Sequence, residues 1–365
     1  MAVKTVLIKG TNSQDMARQA GEALAGFQPK LLLFFASSVY EEPQAALKEA
    51  FPNSEIIGST SHSEYCDGEF TSGAVSIMAM DKESVEDVCV RVVENISAEP
   101  DLRGVLEDMH GYFGGVEQVI NNYESYVGLV MFESSAKSEE IFMDRLGTVT
   151  DLLFVGGSSS TADSGESLVY ANGKSYSGAA VLAILKTVNG YDVIKTQSAH
   201  ILSERKLLVT KSDMRNRILY EFDGRPCGEV YAEVLGVAQE DIQNCFVSNP
   251  LGVVADGEIF VRTFNQIQDG GITLHCGLPE GTEINVLEIG DIVDDTRKAL
   301  DQAITYKLAG LINFNCLYRT LEMQKENQVE PYCELFGRYP SIGFSTNGEA
   351  FFGHINETST ILVIK

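Results

Sequence analysis

No apolar run in this sequence is long enough to span a bilayer. The opening stretch Met1-Ala2-Val3-Lys4-Thr5-Val6-Leu7-Ile8-Lys9 is too short in apolar residues for a secretory signal and reads as a first strand. Positive charge is also scarce. Against 52 Asp and Glu there are 27 Lys and Arg, a net charge of −25, and the acidity is spread along the chain rather than gathered in a tail. Such a surface repels phosphate backbones, so nucleic acid and anionic membranes are excluded as partners. Cysteine pairs are missing. Cys66, Cys89, Cys227, Cys245, Cys276, Cys316 and Cys333 are odd in number, scattered, and contain no Cys-x-x-Cys. That pattern fits free thiols in a reducing compartment, and the expected location is cytoplasmic. The five histidines, His62, His110, His200, His275 and His354, show no metal-type spacing, so no metal is expected. There is no Walker loop and no Gly-x-Gly-x-x-Gly. Gly343-Phe344-Ser345-Thr346-Asn347 lacks the second glycine of a nucleophile elbow, and no catalytic residue is assigned. Asn95-Ile96-Ser97 and Asn356-Glu357-Thr358 match the glycosylation triplet, read as coincidence without a signal peptide.

What the chain does have is a repeated phrase. Ser341-Ile342-Gly343-Phe344-Ser345-Thr346-Asn347-Gly348-Glu349 ends a strand in glycine, continues in small hydroxylated residues, and brings a carboxylate six residues after the glycine. Ile56-Ile57-Gly58-Ser59-Thr60-Ser61-His62-Ser63-Glu64 has the same spacing. Phe154-Val155-Gly156-Gly157-Ser158-Ser159 is a third copy, with Gly165-Glu166 delayed by an insertion. Each copy follows a buried strand and a helix, at 30–36 and 42–51, 126–132 and 138–147, and 309–314 and 317–326. Each is followed by a return strand, at 73–80, 177–185 and 358–364. Residues 85–93 are expected to pair with 73–80 in a hairpin, and Ser13 to cap a helix over 14–25. The fold class is therefore α/β, with mixed sheets, helices and internally repeated strand–helix–strand–strand units. At 365 residues two domains are expected. A polar stretch at about 195–212 divides them into 1–200, with two units, and 201–365, with one.

The phrases should fall at the C-terminal ends of parallel strands, where open α/β sheets gather ligands. Their glycines permit a sharp turn or close approach to a ligand. Ser59, Thr60, Ser158, Ser345, Thr346 and Asn347 supply short donors and acceptors, and Glu64 and Glu349 could accept from an ammonium group. The same hydroxyls could equally satisfy turn backbone, with the glutamates turned to water. The last copy is richest. Asn315-Cys316-Leu317-Tyr318-Arg319 follows a buried strand, and Arg319 could fork onto a carboxylate or phosphate, or pair with a neighbouring acid. Cys316 reads more as a small buried hydrophobe than as a nucleophile. His354, Asn356 and Thr358 lie just beyond, facing a pocket or closing a hairpin.

Taken together, these segments resemble the FIST proteins, a sensory family with paired N-terminal and C-terminal domains. The resemblance runs through Leu31 to Ala36, Phe51-Pro52 and Ile57 to Ser61. It continues in Asp223-Gly224-Arg225-Pro226, Val261-Arg262, Pro279-Glu280-Gly281, Asn315 to Arg319, Gly343 to Glu349 and His354 to Thr358. It implies an intracellular ligand-sensing module for a small molecule such as an amino acid. Its output would pass through a separate partner of the histidine kinase, chemoreceptor or cyclic-dinucleotide enzyme kind. Two alternatives stand beside this: a haem protein sensing nitric oxide, as in some relatives, and an uncharacterised enzyme on a small polar substrate. The first phrase has Ser63-Glu64 where the family has Gly-Glu, which implies a less active N-terminal half.

Overall fold

The computed structural model describes residues 2–365 apart from Thr11, Asp163, Ser164, Asp256 and Asp269. Three units of one design run along the chain. Each consists of a leading strand, a helix, a core strand, a second helix, the phrase strand, a short hairpin and a return strand. In the first unit these are Val3–Ile8, Ser13–Ala23, Leu31–Ser37, Pro43–Ala50, Glu55–Ser61, the hairpin Glu64–Cys66 with Glu69–Thr71, and Val75–Met80. The second runs Val85–Val93, Leu102–Tyr112, Tyr126–Phe132, Glu139–Val149, Phe154–Ser158, Val169–Ala171 with Lys174–Tyr176, and Ala180–Thr187. The third begins at Tyr191–Gln197, is interrupted by an insert, and resumes with Ile292–Ala303, Gly310–Cys316 and Leu317–Lys325. Its extra helix Val329–Phe336 precedes Ser341–Thr346, Glu349–Phe351 with His354–Ile355, and Thr358–Ile364. The fold is α/β, with mixed sheets and helices.

Local sequence explains the elements. The core strands are buried along their whole length, which is why Leu31-Leu32-Leu33-Phe34-Phe35 shows no alternation. The helix after each leading strand opens on the same cap. Asn12 accepts from Asp15 N at 2.8 Å, Asp101 from Gly104 N at 3.1 Å and Asp291 from Asp294 N at 2.9 Å. Asn12, and not Ser13, therefore caps the first helix. Core and phrase strands pair in parallel in all three units, with Phe34 opposite Gly58, Val130 opposite Gly156 and Asn313 opposite Gly343. A Cβ on any of these glycines would overlap the carbonyl oxygen of Phe34, Val130 or Asn313, so the pairing itself demands glycine.

The units are joined by exchange. The hairpin of the first pairs with the phrase strand of the third, that of the second with the first, and that of the third with the second. The leading strands stay at home, each pairing with the return strand of its own unit. Val85–Val93 does not pair back on 75–80. It pairs with Ala180–Thr187 of its own unit, and Val3–Ile8 takes the corresponding place beside Val75–Met80. Three six-stranded sheets result, each turning one face to a shared core. At its centre Phe35 stacks on Phe344 with ring centroids 4.2 Å apart and meets Phe314 edge-on at 6.1 Å. The helices cover the outer faces. The insert, from Ala199–Ile201 to Glu283–Ile289, is a nine-stranded sheet with its own core around Phe222, Tyr231, Phe246 and Phe264. The polar stretch at about 195–212 carries its first strands.

Candidate functional site

The phrases meet one another beyond their strand ends. Ser160 N donates to Thr60 O at 3.2 Å, and Ser160 Oγ to Ser345 O. Ser63 Oγ and Ser345 Oγ lie 2.7 Å apart, and Asn347 Nδ2 reaches Ser159 O at 3.0 Å and Ser134 Oγ at 3.2 Å. Ser345 and Asn347 thus knit the units together. Thr60 bonds to the Leu168 backbone of the second unit, with Leu168 N donating to its Oγ1 at 3.1 Å. Ser158 Oγ donates to Glu139 Oε1 at 3.3 Å, and Ser59 Oγ is buried with no partner among the described residues.

The phrase carboxylates fold back on their own units. Ser61 Oγ donates to Glu64, whose other oxygen accepts from Ala74 N at 3.2 Å. Thr346 Oγ1 donates to Glu349 at 2.5 Å, and the second oxygen of Glu349 accepts from Thr358 N at 3.2 Å and Thr358 Oγ1 at 2.7 Å. Both carboxyls are fully buried, and burial pushes each up to about 8. The second unit departs from this pattern. Val169 stands at the hairpin position of Glu64 and Glu349, while Glu166 is exposed. There Glu133, at the end of the core strand, takes the Gly178 N–H at 2.9 Å instead.

The third unit holds a charge that is not neutralised by contact. Arg319, 1% exposed, donates from Nε to Asn315 Oδ1 at 3.1 Å and from Nη2 to Thr296 at 3.0 Å and Thr196 at 3.3 Å. It forms no ion pair with any described residue, and its Nη1 has no partner among them. The expected pairing to a neighbouring acid is absent. Asn315 is fixed by Tyr332 OH at 3.0 Å and by its own Nδ2 to Thr320 at 3.0 Å, and Thr320 Oγ1 reaches Tyr65 OH at 2.7 Å. Close by is Glu357. Both of its carboxylate oxygens are buried without a partner among the described residues, and burial raises it to about 8, with Arg319 opposing and Glu349 adding to the rise. Glu357 also sits at φ 55°. The strand register places it level with Gly73 and Gly178, at φ 80° and 60° in the other units. Two units use glycine for this left-handed turn, and the third tolerates strain to put a carboxylate there. Cys316 adjoins, its thiol pushed well up by burial beside Glu349 and Glu357.

The third hairpin makes the other wall. His354 Nδ1 lies 3.0 Å from Cys276 Sγ of the insert, and burial lowers the pKa of the imidazole. Its Nε2 and Asn356 Oδ1 are buried without partners among the described residues. Nε2 faces Gly348 so closely that a Cβ there would overlap the ring. A haem needs an axial nitrogen facing an open slot. With Nε2 packed against Gly348 and Nδ1 turned to Cys276, the surroundings of His354 do not fit a porphyrin.

Family models now bear on this geometry. That of the FIST N domain matches residues 30–225, and that of the FIST C domain residues 228–351. The chain belongs to the FIST family. FIST domains are associated with sensory function in signal transduction. Comparison with curated proteins finds no match. No described helix of this FIST protein is long and apolar enough to cross a membrane.

Of the residues singled out from sequence, Asn315, Cys316, Arg319, Thr346, Glu349 and Thr358 gather in the third unit, with His354 and Asn356 along its hairpin. Ser345 and Asn347 turn to the neighbouring units, and Ser59, Thr60, Glu64 and Ser158 lie in the first two. Glu357, Thr196, Thr296, Thr320 and Tyr65 went unrecognised. Aligning the three return strands exposes Glu357, because Gly73 and Gly178 stand in its place. Nothing in the local sequence marks the threonines, which stand on the leading strand and helices of the third unit itself, whereas Tyr65 comes in with the exchanged hairpin of the first unit.

Proposed function

We propose that the third unit of this FIST protein binds a small polar metabolite carrying an acidic and a basic group, of which an amino acid is the simplest. One observation carries this reading: Arg319 Nη1 and both oxygens of Glu357, two groups that feel each other's charge, are buried without partners among the described residues. An unpaired buried ion costs a fold several kcal/mol, and the strained backbone of Glu357 adds to that. A zwitterion would relieve both ends, its carboxylate on the guanidinium and its ammonium on Glu357, with Glu349 and Asn356 fixing the remainder. The ammonium would also draw Glu357 into its ionised form. Binding rather than turnover is the role assigned, since a thiol held protonated, as in Cys316, is a poor nucleophile. The ligand would bias the packing of the third unit against its neighbours, and a separate signalling protein would read the change.

Thermal melting against amino acids, small acids and nucleotides tests the reading. A ligand at a hundred times its Kd adds about 2.7 kcal/mol, a rise of roughly 3–4 °C for a chain of this size. Arg319→Met keeps the side-chain volume and removes the charge, so it should fold at least as stably and lose the ligand-induced rise. A ligand that stabilises Arg319→Met as well as the parent protein would place binding elsewhere.

A further inference from the structure

A second constellation lies on the far side of His354 and takes no part in the ligand reading. Glu140, on the helix Glu139–Val149 of the second unit, Cys276, at the end of an insert strand, and His354, on the third hairpin, present their ligand atoms within 4.8 Å of one another. They come from three separate parts of the chain, so no spacing in the sequence announces them.

We infer that Glu140, Cys276 and His354 form a binding site for a borderline-soft divalent cation of the zinc type. The donor set is one thiolate, one imidazole and one carboxylate, three protein ligands of the kind tetrahedral zinc takes, with a fourth position left for water or another ligand. At ordinary bond lengths a tetrahedral ion holds a sulfur and a nitrogen about 3.6 Å apart. Sγ of Cys276 and Nδ1 of His354 stand at 3.0 Å and need part by only about half an ångström, while Glu140 closes in. The surroundings orient the carboxylate. Glu140 Oε1 accepts from Gly277 N at 2.9 Å, next to Cys276, and its other oxygen accepts from Arg217. Arg217 also bridges to Glu139 at 2.6 Å. The fixed charges around the site are Glu139 and Glu140 against Arg217 and Arg262, which balance, so a Cys276 thiolate leaves one negative charge for the dication to meet. All three ligand side chains are at least half-buried, so the ion would clamp the insert onto the second and third units.

The full chain, stripped with a chelator, would be titrated with Zn2+ and with Co2+. We expect one equivalent of Zn2+ bound and a thiolate-to-cobalt charge-transfer absorption in the Co2+ form. Cys276→Ser should abolish that absorption and weaken Zn2+ by tenfold or more, and Glu140→Gln should weaken Zn2+ while keeping the absorption. Cys245→Ser, at a partly exposed thiol away from the site, should change neither. Folded wild-type protein without the absorption overturns the site, which makes Cys276–His354 a hydrogen-bonded pair only. So does an absorption that persists in Cys276→Ser, or in Cys276→Ala should the serine variant not fold. Neither result touches the Arg319 reading, whose test is a metal-free melting shift.

Discussion

Glu357 concentrates the tension between stability and function in one residue. A non-glycine side chain in the left-handed region costs about 1–2 kcal/mol, and this one also carries a buried carboxyl without partners among the described residues. Glu357→Gly restores what the other two units have. The expected result is a melting temperature higher by about 1–1.5 °C for each kcal/mol recovered, together with loss of ligand response. Differential calorimetry with and without ligand checks both halves, and a destabilised Glu357→Gly would mean that the carboxylate supports the fold. The buried acids also fix a pH dependence. Glu64, Glu349 and Glu357 rise from an ordinary 4.5 to about 8 through burial. Below about pH 4.5 they are protonated both folded and unfolded and contribute no slope. Between 4.5 and 8 the unfolded chain releases protons that the folded chain keeps, so stability falls as pH rises, by up to about 1.4 kcal/mol per unit and group. Arg319 and Glu322 face Glu357 and act in opposite directions on it. Melting temperatures from pH 5 to 8 should decline, and less steeply in Glu349→Gln. A flat or rising profile would show that these acids ionise in place.

At the scale of elements, the hairpins after each phrase show both what could be read and what could not. Asp67-Gly68 and Asn172-Gly173 are strong hairpin signals, and both turns have the left-handed aspartate or asparagine that such loops favour. They are legible in the sequence once the phrase is not expected to stop at its glutamate. The third hairpin hides, because Phe352 takes that position at φ 54° with 78% of its surface exposed. Phe352→Asn should relieve about 1 kcal/mol of strain and raise the melting temperature by about 1–1.5 °C. An unchanged value would mean that the ring's contact with Phe351 offsets the backbone cost. The core strands, the crossovers and the return strands were legible because buried parallel strands write long apolar runs. Pairing partners were not. Nothing in Val85–Val93 says that its mate lies some ninety residues on, and the site inherits that limit: Arg319 and Asn315 were visible as local polar residues after a strand, whereas Thr196, Thr296 and Cys276 arrive only through tertiary pairing.

For the molecule as a whole, the asymmetry is chemical as well as architectural. Three units share one design, and the unneutralised guanidinium, the strained carboxylate and the insert fall on the third. The cyclic exchange of strands has a consequence for the chain's ends. Val3–Ile8 fills in the first sheet the place that Val85–Val93 and Tyr191–Gln197 fill in the others, and Val3 lies beside Gly310, which pairs with Ile364. The ring therefore closes where the backbone does not. Residues 2 and 365 could be joined by a short linker and the chain reopened in the turn at Asp81–Ser84, giving a circular permutant that begins with the second unit. It should keep the same sheets and the same response to ligand, since Val3 in the first strand and Ile364 in the last both lie beside Gly310.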